Sequence, residues 1–317
     1  MVGRSALILS LAMALTPPAD CGHLLKDVAQ FLNEKVDFVG HDNGLRSHIR
    51  TLEKDFQELD NLDNEAWQHH HVQKVLTSLT DAVTVLRRVE DHVVALARTS
   101  RTDVGGLENH LNQFKRQVDG RLSTDFTYGR IMGLVGSLIK DSYETMKKEL
   151  VEINKAESLM NKANAEMRVL QGFLRLHEQH QDEVDRAAKT GVVGSLIKAG
   201  LTAIFGDSDQ ALEVGVTGLV GLVDIYDHRD KFDRVEKNIL DSFRYFQNEV
   251  KEIQREEIAM RKLKNEYFAV GIDWSDGYQK EELVEVAEDE DDWIDVMANI
   301  RSLKSSVNSF VNSAGQW

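Results

Sequence analysis

The chain of 317 residues holds one cysteine, two prolines and no Asn-x-Ser/Thr glycosylation acceptor. Pro17, Pro18 and Cys21 all lie at the N-terminal end, so everything from Gly22 onward has neither residue type. Without cysteine that stretch has no disulfide, no thiol nucleophile and no thiolate metal ligand. Without proline it lacks the main interruption of long helices. Basic residues are also in deficit, 38 Lys and Arg against 53 Asp and Glu, which leaves a net charge of −15. Such a surface repels nucleic acid and anionic membranes, so cationic partners, or none, are the natural expectation.

The start of the chain reads as an export signal. Met1 to Arg4 is short and basic, and Ser5 to Thr16 is an apolar run containing Leu7, Ile8, Leu9, Leu11, Met13 and Leu15. Pro17 and Pro18 break the run, and Ala19 and Cys21 are the small residues expected before a cut between Cys21 and Gly22. A lipoprotein anchored through Cys21 is disfavoured by Asp20 and Pro18, and an uncleaved anchor needs about 20 apolar residues. The expectation is a secreted, extracellular protein with residues 1–21 removed. Lacking disulfides, it must be held by its hydrophobic core, and a chain of this length is able to build one.

Strand-type alternation is scarce, while apolar residues recur at helical spacing. Leu24, Leu25, Val28, Phe31 and Leu32 form one stripe, and Leu45, Ile49, Leu52, Phe56 and Leu59 another, with a turn at His41 to Gly44. A third helix is expected from about Asn64 to Thr99, with Gly105 and Gly106 weakening the start of the next. From Thr124 to Lys189 only isolated glycines interrupt the pattern. Its stripe is Met146, Leu150, Ile153, Met160, Ala163, Met167, Leu170 and Leu174. Phe243, Phe246, Val250, Ile253, Met260, Leu263 and Tyr267 repeat that spacing, which suits knobs-into-holes packing. The fold class expected is all-α, an extended helical bundle with long antiparallel helices, forming a single domain over residues 22–317 or, alternatively, two packed lobes.

Between the two long stripes lies the most apolar part of the chain after the signal. It reads as a helical hairpin over 191–225, with arms Gly191 to Phe205 and Ala211 to Ile225 around the turn Gly206-Asp207-Ser208-Asp209. The eight residues Gly133 to Lys140 recur at Gly191 to Lys198 with seven matches. Because the flanks do not match, this is no full repeat. Glycines three apart let a neighbouring backbone approach, so Gly133, Gly136, Gly191, Gly194, Gly215, Gly218 and Gly221 are candidate helix-packing positions. A P-loop is excluded by spacing, and Lys198 is expected to snorkel from an apolar helix.

Residues 281–295 carry nine acidic residues in fifteen, after an expected loop at Val270 to Gly277. This is either a solvated run or a docking site for a basic partner, with Glu288, Asp289, Glu290, Asp291, Asp292 and Trp293 as the candidate contacts. Trp293, Ile294, Met297, Ile300, Val307 and Phe310 then predict a last amphipathic helix, with acidic residues at its positive end.

No catalytic, metal or cofactor site is assigned. The triplet His69-His70-His71 is expected on a solvated helix face, since three neighbours on a helix point about 100° apart and do not chelate one ion. His177-Glu178 begins a zinc-protease pattern that fails at Gln181, although His177 and His180 share a face. There is no Gly-x-Ser-x-Gly elbow.

Two functions fit this layout. If the 191–225 hairpin is core, the protein is a secreted interaction protein. If the hairpin faces lipid, the layout resembles the helical pore-forming toxins. Each arm spans roughly 22 Å where a bilayer core needs about 30 Å, and Lys198, Glu213 and Asp224 add cost. The signal, a mature mass of roughly 34 kDa, the lack of Cys and Pro, the acidic helical composition and the tail from Gly271-Ile272-Asp273-Trp274 through Trp293-Ile294-Asp295-Val296 together resemble the 34 kDa secreted salivary proteins of culicine mosquitoes. That resemblance implies a saliva component without known catalysis, acting through protein contacts in host skin or on the feeding apparatus and modulating host defence. It spans the chain as a style and contains no strict motif, so it carries over no functional residue.

Overall fold

The computed structural model describes residues 21–40, 42–62, 70–190, 195–205, 226, 228–269 and 277–314. Among these there is no strand, and nine helical segments account for nearly all of them. They are α1 (Cys21–Gly40), α2 (Leu45–Asp60), α3 (His70–Asp119), α4 (Asp125–Gln179), α5 (Gln181–Thr190), α6 (Ser195–Phe205), α7 (Arg229–Ala269), α8 (Gly277–Glu288) and α9 (Glu290–Ala314). Except for Cys21, which opens α1, the expected signal lies outside the described residues, as do the hairpin's second arm and residues 270–276.

The chain divides into two compact units, the first formed by Met1–Gly44, Val89–Leu150 and Lys251–Trp317 and the second by Leu45–Arg88 and Val151–Val250. The divisions fall inside α3, α4 and α7, so each of these helices contributes a segment to both units.

In the first unit, α1 packs along α9, and α8 packs against both. Val28 and Leu32 of α1 are buried, as are Trp293, Met297, Ile300, Leu303 and Val307 of α9. The 3-and-4 spacing of the α9 residues is what makes its apolar face a continuous seam. Gly106 lies in contact with Leu134, whose methyl group would stand 3.2 Å from an added Cβ. This explains why α3 runs unbroken to Asp119 where a boundary near Gly105 and Gly106 was expected: the local glycine penalty of about 1 kcal/mol per residue is offset by packing.

In the second unit, Phe173, Leu176, Val184, Ile197 and Leu201 form one buried cluster, joined at its edge by Val169 and Ile204. The first arm of the expected hairpin thus has a buried face. An added Cβ at Gly172 would lie 2.9 Å from Ile204 Cγ1, and one at Gly200 2.3 Å from Leu176 Cδ1, so these two glycines make the close approach of α6 to α4. Lys198 is exposed. The helix expected through Lys189 is interrupted at His180. Hydrogen bonds nevertheless carry across, His180 N donating to Leu176 O and Val184 N to His180 O, each at 3.0 Å. The bend coincides with the entry of Val184 into the apolar cluster.

The long stripe on α4 is buried at every expected position except Leu150, which is partly exposed. On α7, Phe246, Val250, Ile253, Met260 and Leu263 are buried and Phe243 is partly so. No described helix is long and apolar enough to cross a membrane.

Candidate functional site

The acidic stretch is helical on both sides of a one-residue break at Asp289. Asp289 terminates α8 and caps α9: its Oδ1 accepts hydrogen bonds from the backbone N–H groups of Asp291 and Asp292 at 3.0 and 3.1 Å. A carboxylate at this position satisfies donors that have no partner within the helix. Glu290, Asp291 and Asp292 fill the first turn, where the helix dipole stabilises negative charge. Glu288 through Asp292 are all exposed. The result is an elbow bearing five consecutive carboxylates on a hydrogen-bonded frame, with Ile294 beside them 55% exposed.

Trp293 has to be removed from the candidate contacts. It is only 7% exposed, because the apolar spacing of α9 turns it into the first unit's core with Met297 and Ile300. Ile294 takes the outward position. Leu283 and Ala287 of α8 are likewise inward, whereas Val284 and Val286 are half-buried.

The candidate packing glycines separate. Gly136 is buried, but Gly133 is exposed, and among the described residues a Cβ there would meet nothing within 4 Å. The shared octapeptide therefore does not make Gly133 a contact. Gly191, Gly194, Gly215, Gly218 and Gly221 lie outside the described residues. Gly172 and Gly200, which do make a close approach, belong to no glycine pair three apart, and no sequence signal marks them.

The histidine triplet is corrected in part. His70 is exposed, but His71 is buried, its ring tilted against Phe173 at 5.8 Å and its Nδ1 2.5 Å from Glu166 Oε2. Burial lowers its pKa, against the opposing pull of Glu166. His177 is also buried, 4.5 Å from the ring of Tyr226. Among the described residues no group of three His, Cys, Asp or Glu side chains is placed to hold a metal ion.

Sequence reasoning missed two buried charged sites. In the first unit Lys35 Nζ lies 3.0 Å from Glu149 Oε2 and 2.6 Å from Glu256 Oε2, with the Lys35 and Glu149 side chains 3% and 0% exposed. Burial works against the lysine charge, but attraction to both carboxylates outweighs it, so its pKa is raised. Burial raises Glu149 in turn, against the pull of Lys35, and its Oε1 has no hydrogen-bond partner. The Glu256 side chain, at 20% exposure, is the only one of the three with appreciable access to solvent. In the second unit Asp55 is 1% exposed. Its Oδ1 accepts from Asn238 Nδ2 at 2.9 Å, and its Oδ2 has no hydrogen-bond partner among the described residues. Burial pushes this carboxyl up to about 6. Lys35, Glu149 and Asp55 have almost no exposed surface, and each is partnered by a side chain from another helix.

The chain matches no protein-family model, and no curated protein matches it.

Proposed function

We propose that this is a secreted, non-catalytic interaction protein whose acidic elbow engages a cationic surface on another protein. Joined to the resemblance noted above, the reading is of a salivary effector that binds a host or feeding-apparatus protein and modulates the host response. The observation that carries it is the run Glu288 to Asp292: five exposed carboxylates held on a capped helix junction, ready to meet a partner without further ordering. The apolar leader and the absence of cysteine and proline after it support export of a helical body. The burial of Ile197 and Leu201 favours a packed hairpin arm over a membrane-entering one.

Surface plasmon resonance against a panel of purified cationic skin, plasma and cuticular proteins tests the reading. The quadruple variant Glu288→Gln, Glu290→Gln, Asp291→Asn and Asp292→Asn keeps the Asp289 cap and removes the charge. At least one partner is expected to bind the wild type in a salt-sensitive manner and to lose at least tenfold in affinity for the variant. Binding that ignores both salt and variant, or no binding across the panel, overturns it.

A further inference from the structure

The turn joining α3 to α4 departs from the habits of a helix end in three respects. Arg121 N donates to Val118 O at 3.0 Å, and Leu122 N donates to Gln117 O at 2.8 Å. This is the Schellman pattern, in which the first residue past the helix is left-handed and is usually glycine. Here that residue is Arg121, with φ at 50°, while Gly120 stands one position too early. A side chain in this conformation costs about 1 kcal/mol or more. The next residue of such a motif normally folds its apolar side chain back onto the helix. Leu122 instead stands 65% exposed, and Phe126, the second residue of α4, is 72% exposed. Arg130 stacks on Phe126, with its guanidinium carbon 5.2 Å from the ring centroid. Together they place two apolar side chains beside Arg121 and Arg130 on a turn whose backbone is hydrogen-bonded in place.

Beside the turn lies a shallow open depression of about 920 Å³. Asn109, Asn112, Gln113, Lys115, Arg116, Gln117 and Leu122 line it, with no carboxylate among the described residues. On a chain with 53 acidic residues, an acid-free depression rich in donors is a local reversal of character. Three neighbouring acids are already countered: Asp119 accepts from Lys115 at 2.7 Å, Asp125 is held by Lys280 and Ser123, and Glu108 accepts from Lys304 at 2.6 Å. No ion pair neutralises Arg121 or Arg130 among the described residues.

We propose that this turn docks the protein on an anionic phospholipid surface, with Leu122 and Phe126 entering the acyl boundary and Arg116, Arg121 and Arg130 meeting lipid phosphates. Two apolar side chains offer far less area than the roughly 800 Å² per partner of a standard protein interface. A small convex wedge beside a cluster of cations suits the lipid headgroup region instead. The contact is peripheral and reversible. The overall charge of −15 does not forbid it, since charges more than about 8 Å away are largely screened at physiological ionic strength. It is independent of the acidic elbow, so failure of either leaves the other standing.

Vesicle flotation with protein secreted from a eukaryotic host is the test, comparing pure phosphatidylcholine with mixtures containing phosphatidylserine. Binding is expected only to the anionic vesicles, without release of an entrapped dye, and it should fall about fivefold for each of Arg121→Gln and Arg130→Gln. The Leu122→Ser/Phe126→Ser pair should lower it by tenfold or more with helicity unchanged, while Val151→Ser, another exposed apolar site, should leave it intact. Equal binding to neutral vesicles, no vesicle binding, dye release, or wild-type binding by the paired variant would each overturn the proposal. So would binding of soluble glycerophosphoserine or of an acidic polypeptide at this turn in the absence of vesicle binding.

Discussion

In the first unit Lys35 is buried between the carboxylates of Glu149 and Glu256, whereas in the second unit Asp55 is buried against the Asn238 amide, its one hydrogen-bond partner among the described residues. One site offsets the loss of solvent with opposite charge, the other by keeping a proton. A buried ion therefore depends on its partners, and removing one strands the others. A buried carboxyl that holds a proton depends on pH instead.

Lys35→Ala offers the most severe way to break this contrast. It leaves Glu149 and Glu256 without their cation, and a destabilisation of about 3–5 kcal/mol is expected in urea unfolding. Combining Lys35→Met with Glu149→Gln and Glu256→Gln should recover most of it, because no charge is then left stranded. An unshifted midpoint for Lys35→Ala would mean that the cluster is open to water.

The glycines allow a second comparison between the units. Gly200→Ala puts a methyl 2.3 Å from Leu176 Cδ1, a flexible end that has to move, and should cost about 1–3 kcal/mol. Gly133→Ala meets open space and should stabilise by about 0.5–1 kcal/mol through helix propensity alone. Equal effects from thermal melts of the two variants would contradict the placement of α6 on α4.

Asp55→Asn sharpens the pH side of the contrast. The folded state keeps the Asp55 proton up to about 6, while the unfolded chain releases it near 3.8. The stabilising effect of that protonated carboxyl is fully present below 3.8 and is lost as pH rises through about 6. The variant should therefore be more stable than wild type above pH 6, by about 1–2 kcal/mol after allowance for solvent screening, and should lose the slope across that window. His71, whose pKa is lowered by burial, acts in the opposite sense. Its contribution is present above the ordinary histidine value and is lost as pH falls, so the variant series needs stability measured across the full acidic range. Among the destabilising variants the smallest expected effect is that of Asp289→Ala, a loss of about 1 kcal/mol from an unsatisfied α9 start, with reduced amide protection at Asp291 and Asp292 in hydrogen exchange.

Much of this was legible beforehand, and the failures share one cause. The apolar stripes placed α1, α2, α4, α7 and α9, because burial in a helical body selects the 3-and-4 spacing directly. Lys35 stands four after Phe31 on the same stripe, Glu149 lies between Met146 and Ile153, and Asp55 lies between Leu52 and Leu59. A charged residue at an apolar position was the available signal for all three. Trp293 was misjudged because its acidic neighbours outweighed its own register with Met297 and Ile300. The elbow's charge was readable, but its cap was not, since Asp289 is one of several acids that could have ended α8.

Composition and spacing alone determined that nearly all of the described residues are helical, because a strongly periodic chain with no proline after Pro18 has few other ways to hide its apolar side chains. Which glycines meet a neighbour, which charges are hidden and which apolar side chains stay outside were decided only by the tertiary structure. Those properties belong to pairs of segments brought together by packing, and a linear pattern records the face of one helix but not the neighbour it meets.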